Sequence, residues 1–281
     1  MRRDYGGAAD LASIQRFCQR IWSMNSRFHV GDLGWSLGQT PDGRPEWRMS
    51  VWESGGVLEA WGWLTGPDDL SLLVDPARPE LVDEVLDWAG PAAAVTVLDG
   101  ERHLVAALER RGYTPDRSGP YFLALSRGLA DLPPVPALPR GWTVRPTTDA
   151  DLARRAAVHR EVWHPSAVTE ERYRRLAAGW PYRPEFDIVV EAPDGQFAAY
   201  CLGWYDEVNR SGEFEPVGTL AGYRRRGLSR VAGIAALHAF RDAGGETALV
   251  YPRGDDGYPV PRQVYAALGF TPHGRTVVYR P

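Results

Sequence analysis

Between Gly212 and Arg230 the chain reads GEFEPVGTLAGYRRRGLSR. Glu213 and Glu215 alternate along a segment, Glu213–Thr219, that reads as a strand, so both carboxylates project from one face. Two like charges that close raise one another's pKa, which suits one of them to take up a proton near neutral pH. After a turn at Leu220–Tyr223 come Arg224, Arg225, Arg226 and Gly227, which run directly into an apolar helix, Leu228–Ala243. The first amides of a helix lack intrahelical partners, and the helix dipole places partial positive charge there. Guanidinium groups add fork-shaped donors suited to phosphate oxygens, and Gly227 lets backbone approach a ligand without a Cβ in the way. Strand, glycine-bearing loop and helix together form a candidate phosphate cradle. An arginine run is also what a solvated turn looks like, and alternating glutamates also occur on a solvated strand, so context has to decide.

The context is a family resemblance. Arg224, Gly227 and Ser229 fill the slots of Arg/Gln-x-x-Gly-x-Gly/Ala, the acetyl-CoA-binding motif of the GCN5-related N-acetyltransferase (GNAT) family, with Ser229 departing from the last slot. Downstream, Tyr251–Phe270 resembles the family's N-x-x-(A)-x-x-x-Y-x-x-x-G-F segment. Tyr265, Gly269 and Phe270 match it, and Tyr258 stands where asparagine is usual. The resemblance covers Trp142–Pro281. It implies that acetyl-CoA (CoA) lies between two splayed parallel strands, its pantetheine arm on Val217, Gly218 and Thr219. Arg224, Arg225, Arg226, Gly227, Leu228 and Ser229 would hold the diphosphate, and Arg230 either reaches the 3′-phosphate or stays in solvent. Tyr265 would donate a proton to the departing thiolate. Glu213 sits eleven residues before Arg224, close to the spacing of the basic glutamate in histone-acetylating members. The acceptor would lie near the loop 163–168, with Trp163 and His164, and near Trp204 and Asp206.

An amine attacks a thioester only when neutral. A lysine-like amine is neutral in about one molecule in 10³ at pH 7, a handicap of roughly 4–5 kcal/mol that a carboxylate or a water relay offsets by accepting the proton. Which glutamate, or a water, serves as base stays open at this level. The expected activity is acetyl transfer to a primary amine of a small molecule by direct attack in a ternary complex, since no cysteine falls in the motif region. A non-catalytic acyl-CoA-binding or regulatory module is the alternative. An aminoacyl-tRNA-dependent transferase on the same tandem fold would need a basic surface.

Composition weighs against that last reading. All 32 basic residues are arginine and the net charge is −4, so no nucleic-acid footprint is expected. Cys18 and Cys201 are too few for a disulfide framework or a zinc site, and no metal is expected. The amino terminus lacks the apolar region of a signal peptide and no run is long enough to span a membrane, giving the expectation of a cytoplasmic monomer or homodimer.

The elements that must position these residues occur twice. Helix Ala8–Trp22, strands Trp47–Trp52, Val57–Leu64 and Leu70–Val74, helix Glu80–Trp88, strand Ala94–Leu98, helix His103–Arg110 and closing strand Tyr121–Ser126 make the first half. The second has strand Trp142–Arg145, helices 150–162 and 169–178, strands Phe186–Ala192, Phe197–Trp204, Glu213–Thr219 and Glu246–Tyr251, a helix carrying Tyr265, and closing strand Arg275–Arg280. Segment 56–64 parallels 195–203, and Arg111-Gly112-Tyr113 parallels Leu268-Gly269-Phe270, as in two copies of one fold. The first copy holds Pro79–Glu84 where the cradle should be, with three carboxylates and no glycine, and Leu108 where Tyr265 should be. Residues 1–127 therefore read as a degenerate GNAT-like domain, 128–140 as a stiff linker with four prolines in Leu129–Pro139, and 141–281 as the catalytic domain. The fold class expected is α/β, two GNAT-like domains in tandem, each a mixed, mostly antiparallel sheet flanked by helices.

Overall fold

Short alternating apolar runs make the strands, and one sheet threads the whole chain. A computed structural model describes residues 1–38, 48–91 and 93–281. Trp47, the expected start of one strand, lies outside the described residues. The first half runs β1 (Arg2–Asp4), α1 (Ala8–Ile21), α2 (Val30–Gly38), β2 (Met49–Ser54), β3 (Val57–Leu64), β4 (Asp69–Val74), α3 (Leu81–Ala89), β5 (Ala94–Leu98), α4 (Arg102–Arg110), β6 (Thr114–Asp116) and β7 (Leu123–Gly128). The second runs β8 (Thr143–Pro146), α5 (Leu152–Val162), α6 (Glu170–Ala178), β9 (Asp187–Glu191), β10 (Phe197–Asp206), β11 (Ser211–Thr219), α7 (Leu228–Asp242), β12 (Thr247–Val250), α8 (Val260–Ala267) and β13 (Thr271–Arg280).

Strand order is β1-β2-β3-β4-β5-β13-β7-β12-β11-β10-β9-β8, with β6 on β13. The parallel pairs, β4 with β5 and β11 with β12, fall at the same place in each half, as the internal repeat requires. Helices cover the faces of this mixed sheet, giving the tandem α/β architecture that the motifs imply.

The closing strands are exchanged. Residues 276–279 of β13 pair with β5 of the first half, whereas β7 pairs with β12 of the second. The cores follow. Val277 and Tyr279 are buried with Leu70, Val95 and Leu108, and Leu125 and Leu129 with Ile234, Leu237 and Phe270. Each strand thus closes the sheet of the other half. Alternation says that a segment is a half-buried strand; it carries no address for the edge it will pair with. The proline-rich connection has neither helix nor strand and is docked: Leu132, Val135 and Leu138 pack on the second core, and the Pro133 carbonyl accepts a bond from His238 Nε2 at 2.9 Å.

Sequence periodicity gives no helix at Val30–Gly38, because VGDLGWSLG carries three glycines, each costing a helix about 1 kcal/mol relative to alanine. Tertiary contact explains their presence. A Cβ on Gly31 would lie 2.5 Å from Trp204 Cβ and Cγ, and one on Gly34 3.1 Å from Trp204 Cζ3. The glycine face lets α2 settle onto Trp204, where it packs against β10, β11 and α6. This helix of the first half thereby packs directly on the strands of the second.

Candidate active site

β11 carries the site. Its parallel ladder with β12 spans only Ser211↔Thr247 to Glu213↔Leu249. Beyond Glu213, β12 turns away while β11 continues to Thr219. Val217, Gly218 and Thr219 keep their pairing with Cys201, Tyr200 and Ala199 of β10 on one side and, among the described residues, have no strand partner on the other. The Thr219 hydroxyl is buried without a hydrogen bond. An edge of unpaired backbone inside a sheet is a place for a ligand's amide groups.

At the far end of that edge stands the cradle. Gly227 caps α7 with φ +74°, a left-handed conformation that glycine adopts without strain, and the space where a Cβ would sit is open. No side chain caps the helix. Among the described residues the amides of 225–230 take no hydrogen bond, the first being from Val231 to the Gly227 carbonyl. Arg224, Arg225, Arg226 and Arg230 are exposed, and among the described residues none pairs with a carboxylate, as Arg145, Arg155 and Arg210 do elsewhere. Arg224 and Arg226 make only long bonds, 3.4 Å, to the carbonyls of Thr219 and Gly222. Orphan amides, unpaired guanidinium groups and an open helix start fit a diphosphate. Leu228 is buried and anchors the helix, while Ser229 is half-buried at its first turn.

The carboxylates lie where the strands part. Two residues, Glu215 and Pro216, stand opposite the single Leu202 in the β10 register, a bulge that re-aims the Glu215 side chain. Trp204 Nε1–H donates to the Glu215 carbonyl at 2.7 Å and so holds the bulge. Glu215 is half-buried and its pKa is pushed up to about 8, by burial and then by the Asp32 charge. Glu213 is 1% exposed, and burial and the Glu215 charge hold its carboxyl well above the usual range. Asp32, also raised by burial and by Glu213, belongs to α2 of the first half, and the buried His29 immediately precedes that helix. Neither residue stands out in the sequence. The signal available was the glycine spacing at 31, 34 and 38, which marks a helix backbone pressed close to something.

Tyr265 is placed on α8 with its ring edge-on to Phe270 at 5.9 Å. Burial raises its hydroxyl pKa first, and the fields of Cys201, Glu215 and Tyr200 add to this, so the phenol is protonated at neutral pH. The structure places Glu213 beside Glu215, and Tyr265 within the field of Glu215. The expected acceptor residues divide. Trp204 is 1% exposed and supports α2 and the bulge without offering a surface to a ligand. Asp206 is buried in the β10–β11 turn, its oxygens taken by Gln19 Nε2 at 2.7 Å, Asn209 Nδ2 at 2.6 Å and two backbone amides. It is committed to that turn. Trp163 and His164 are exposed on the loop after α5, where Trp163 Nε1–H donates to the Tyr200 hydroxyl at 2.8 Å beside Gly218. Trp163 thus reaches the edge through Tyr200, while no contact joins His164 to it among the described residues. Tyr258, in the unusual slot, is exposed. Among the described residues no His, Cys, Asp and Glu group could hold a metal ion.

The chain belongs to the GNAT family of N-acetyltransferases. Enzymes of this family take the acetyl group from acetyl-CoA. A mycothiol acetyltransferase of Tsukamurella paurometabola is 30% identical over 233 residues, 76% of this chain and 78% of that one. One from Kytococcus sedentarius is 32% identical over 66% of this chain and 62% of its own. Among solved structures, a tandem GNAT protein from the clavulanic acid biosynthesis pathway superposes with a TM-score of 0.64 at 17% identity, covering 100% of this chain and 98% of that one. A GNAT acetyltransferase from Sphaerobacter thermophilus gives 0.61 at 18%, covering 100% and 95%. No protein-family model matches the chain.

Proposed function

We propose that this enzyme moves the acetyl group of acetyl-CoA to a primary amine of a small molecule, by direct attack with both substrates bound. Acetyl-CoA supplies an activated thioester, and everything else is done by this chain. Backbone of Val217, Gly218 and Thr219 aligns the pantetheine arm, and the 225–230 amides with Arg224, Arg225, Arg226 and Arg230 hold the phosphates. The observation that carries the reading is the cluster of Asp32, Glu213 and Glu215 where β11 leaves β12, with Tyr265 in the field of Glu215. The three carboxyl groups make an acidic setting for an ammonium group, and one of them, once ionised, takes its proton. Glu215, with its pKa at about 8, holds a proton at pH 7 and becomes a base as the pH rises through 8. Tyr265, protonated, gives a proton to the leaving sulfur.

The relatives' name supports a small thiol-bearing amine as acceptor, with Trp163 and His164 along its approach. We read 1–127 as the degenerate copy, 128–140 as the linker and 141–281 as the catalytic copy, in a cytoplasmic protein that works as a monomer or homodimer. No described helix is long and apolar enough to cross a membrane.

The test is acetyl transfer from acetyl-CoA to a panel of primary amines that includes cysteamine, cysteine amides and glucosamine, with products read by mass. Tyr265→Phe should lower kcat by about 10²-fold with CoA affinity kept. CoA binding with no transfer to any amine, or full activity in Tyr265→Phe, would point to a non-catalytic acyl-CoA module or to another acid.

A further inference from the structure

His29 sits at the start of α2, fully buried, against a strand of the other half. Its Nε2 lies 3.1 Å from Ser211 Oγ, and its Nδ1 lies 3.3 Å from Glu213 Oε2. The Gly31 amide donates to that same Nδ1, also at 3.3 Å. A ring nitrogen that accepts from an amide carries a lone pair, so the ring hydrogen sits on Nε2 and points at Ser211. The Nδ1 lone pair then faces Glu213 Oε2, an oxygen without a hydrogen bond among the described residues, with the Asp32 amide and carboxyl the other groups against that side chain. Two acceptors at that distance in a dry site repel unless a proton lies between them.

We infer that His29 and Glu213 share one proton across the interface of the two halves, making His29 the positioning residue that lets the buried Glu213 serve as a carboxylate. This deepens the acetyltransferase reading and rests on it. With the proton on Oε2 the pair is neutral; moved to Nδ1, the same proton leaves Glu213 ionised with no exchange with solvent. An acceptor ammonium then loses a proton to Glu213: its N–H breaks, an O–H forms on the carboxyl, and the shared proton remains on Nδ1. The pair gains one positive charge, which the neighbouring Asp206 and Asp32 carboxyl groups favour. Ser211 is fully buried and fixes the ring; it is not placed to attack a thioester. Burial lowers the His29 pKa and raises that of Glu213, which agrees with a neutral pair at rest. The other titratable and charged groups around the pair are Asp32 and Arg27 near α2, Cys18 on α1, Asp206 on β10, Glu215 on β11, Tyr251 after β12 and Glu101 before α4. Apart from Arg27, none of these supplies a positive charge, so the shared proton is what relieves the carboxylate crowding.

The experiment pairs His29→Asn and Glu213→Gln in the full chain, using whichever amine of the panel is acetylated. In His29→Asn the acidic limb of kcat/KM should move up by about one pH unit or more, giving about tenfold loss at pH 7 that recovers at higher pH. CoA affinity by calorimetry, unchanged, shows that the variant is folded. Superimposable limbs in wild type and His29→Asn, with Glu213→Gln inactive, overturn the inference alone. Full activity in Glu213→Gln overturns the catalytic reading beneath it. Nitrogen-15 spectra of the imidazoles give a readout independent of turnover and of any change at position 29. A strongly hydrogen-bonded Nδ1 that becomes a bare lone pair in Glu213→Gln supports the shared proton, and an Nδ1 signal indifferent to that substitution refutes it.

Discussion

Gly31→Ala sets two effects of opposite sign against each other. Alanine in place of a helical glycine stabilises by about 1 kcal/mol on propensity alone. The new methyl would lie 2.5 Å from Trp204 Cβ and Cγ, where carbon atoms rest at about 3.5–4.0 Å. Those atoms are the root of a side chain that is 1% exposed and pinned through its indole to the Glu215 carbonyl, so they cannot swing aside. The helix must back away by about 1 Å. Overpacking of this kind costs about 1–3 kcal/mol, which cancels or exceeds the propensity gain. The functional effect is larger, because α2 carries Asp32 and His29 against Glu213. A displacement of about 1 Å at reacting groups can cost about 10²-fold in rate. The assay measures melting temperature, CoA affinity and kcat/KM for the acceptor in wild type and Gly31→Ala. The expected result is an unchanged or lower melting temperature, intact CoA binding, and acceptor kcat/KM down by ten- to a hundredfold on the order of magnitude of that displacement. A variant stabilised by about 1 kcal/mol with wild-type turnover would refute the claim that the first half builds the cleft.

The remaining predictions concern the cradle, the carboxylates and the exchanged strands. Replacing Arg225 and Arg226 by alanine should weaken CoA roughly tenfold per residue, less at high salt, and leave pantetheine affinity unaltered; equal weakening of both ligands would remove the arginines from the phosphate site. Glu215 has its pKa raised from 4.5 to about 8, so the folded state holds a proton that the unfolded chain has lost. Its contribution to stability is therefore whole below about pH 4.5 and lost as pH rises through 8. Chemical denaturation of the ligand-free enzyme should show stability falling over that window, and Glu215→Gln should flatten the fall; an identical slope in both proteins would contradict the burial argument. Cutting the chain within 128–140 should give two pieces that fail to fold when made separately, because each lacks the strand that closes its sheet, and that recover acetyl transfer when co-expressed. Independent folding of residues 141–281, read by circular dichroism, would show that the exchange is dispensable.

The chain's own order of residues settled a good deal. The strand–loop–helix at 213–243 was legible because its signals are local: alternation, a glycine before an apolar helix, arginines with no carboxylates interleaved. Tyr265 was legible by its distance from Gly269 and Phe270, and the doubling of the fold by its repeated pattern. These depend on neighbours within a few residues, where backbone geometry alone fixes which side chains meet. Other features were decided only by tertiary contact. The β7 and β13 exchange depends on which open edge each strand reaches. Helix α2 goes against local propensity and is held by Trp204, some 170 residues away in the chain. Asp206, which composition would offer to a cation, is committed to its own turn. The carboxylate cleft is completed by Asp32 and His29, whose significance lies wholly in their distance from Glu213. No pattern within either half encodes that distance, because it exists only once the two sheets are hydrogen-bonded into one.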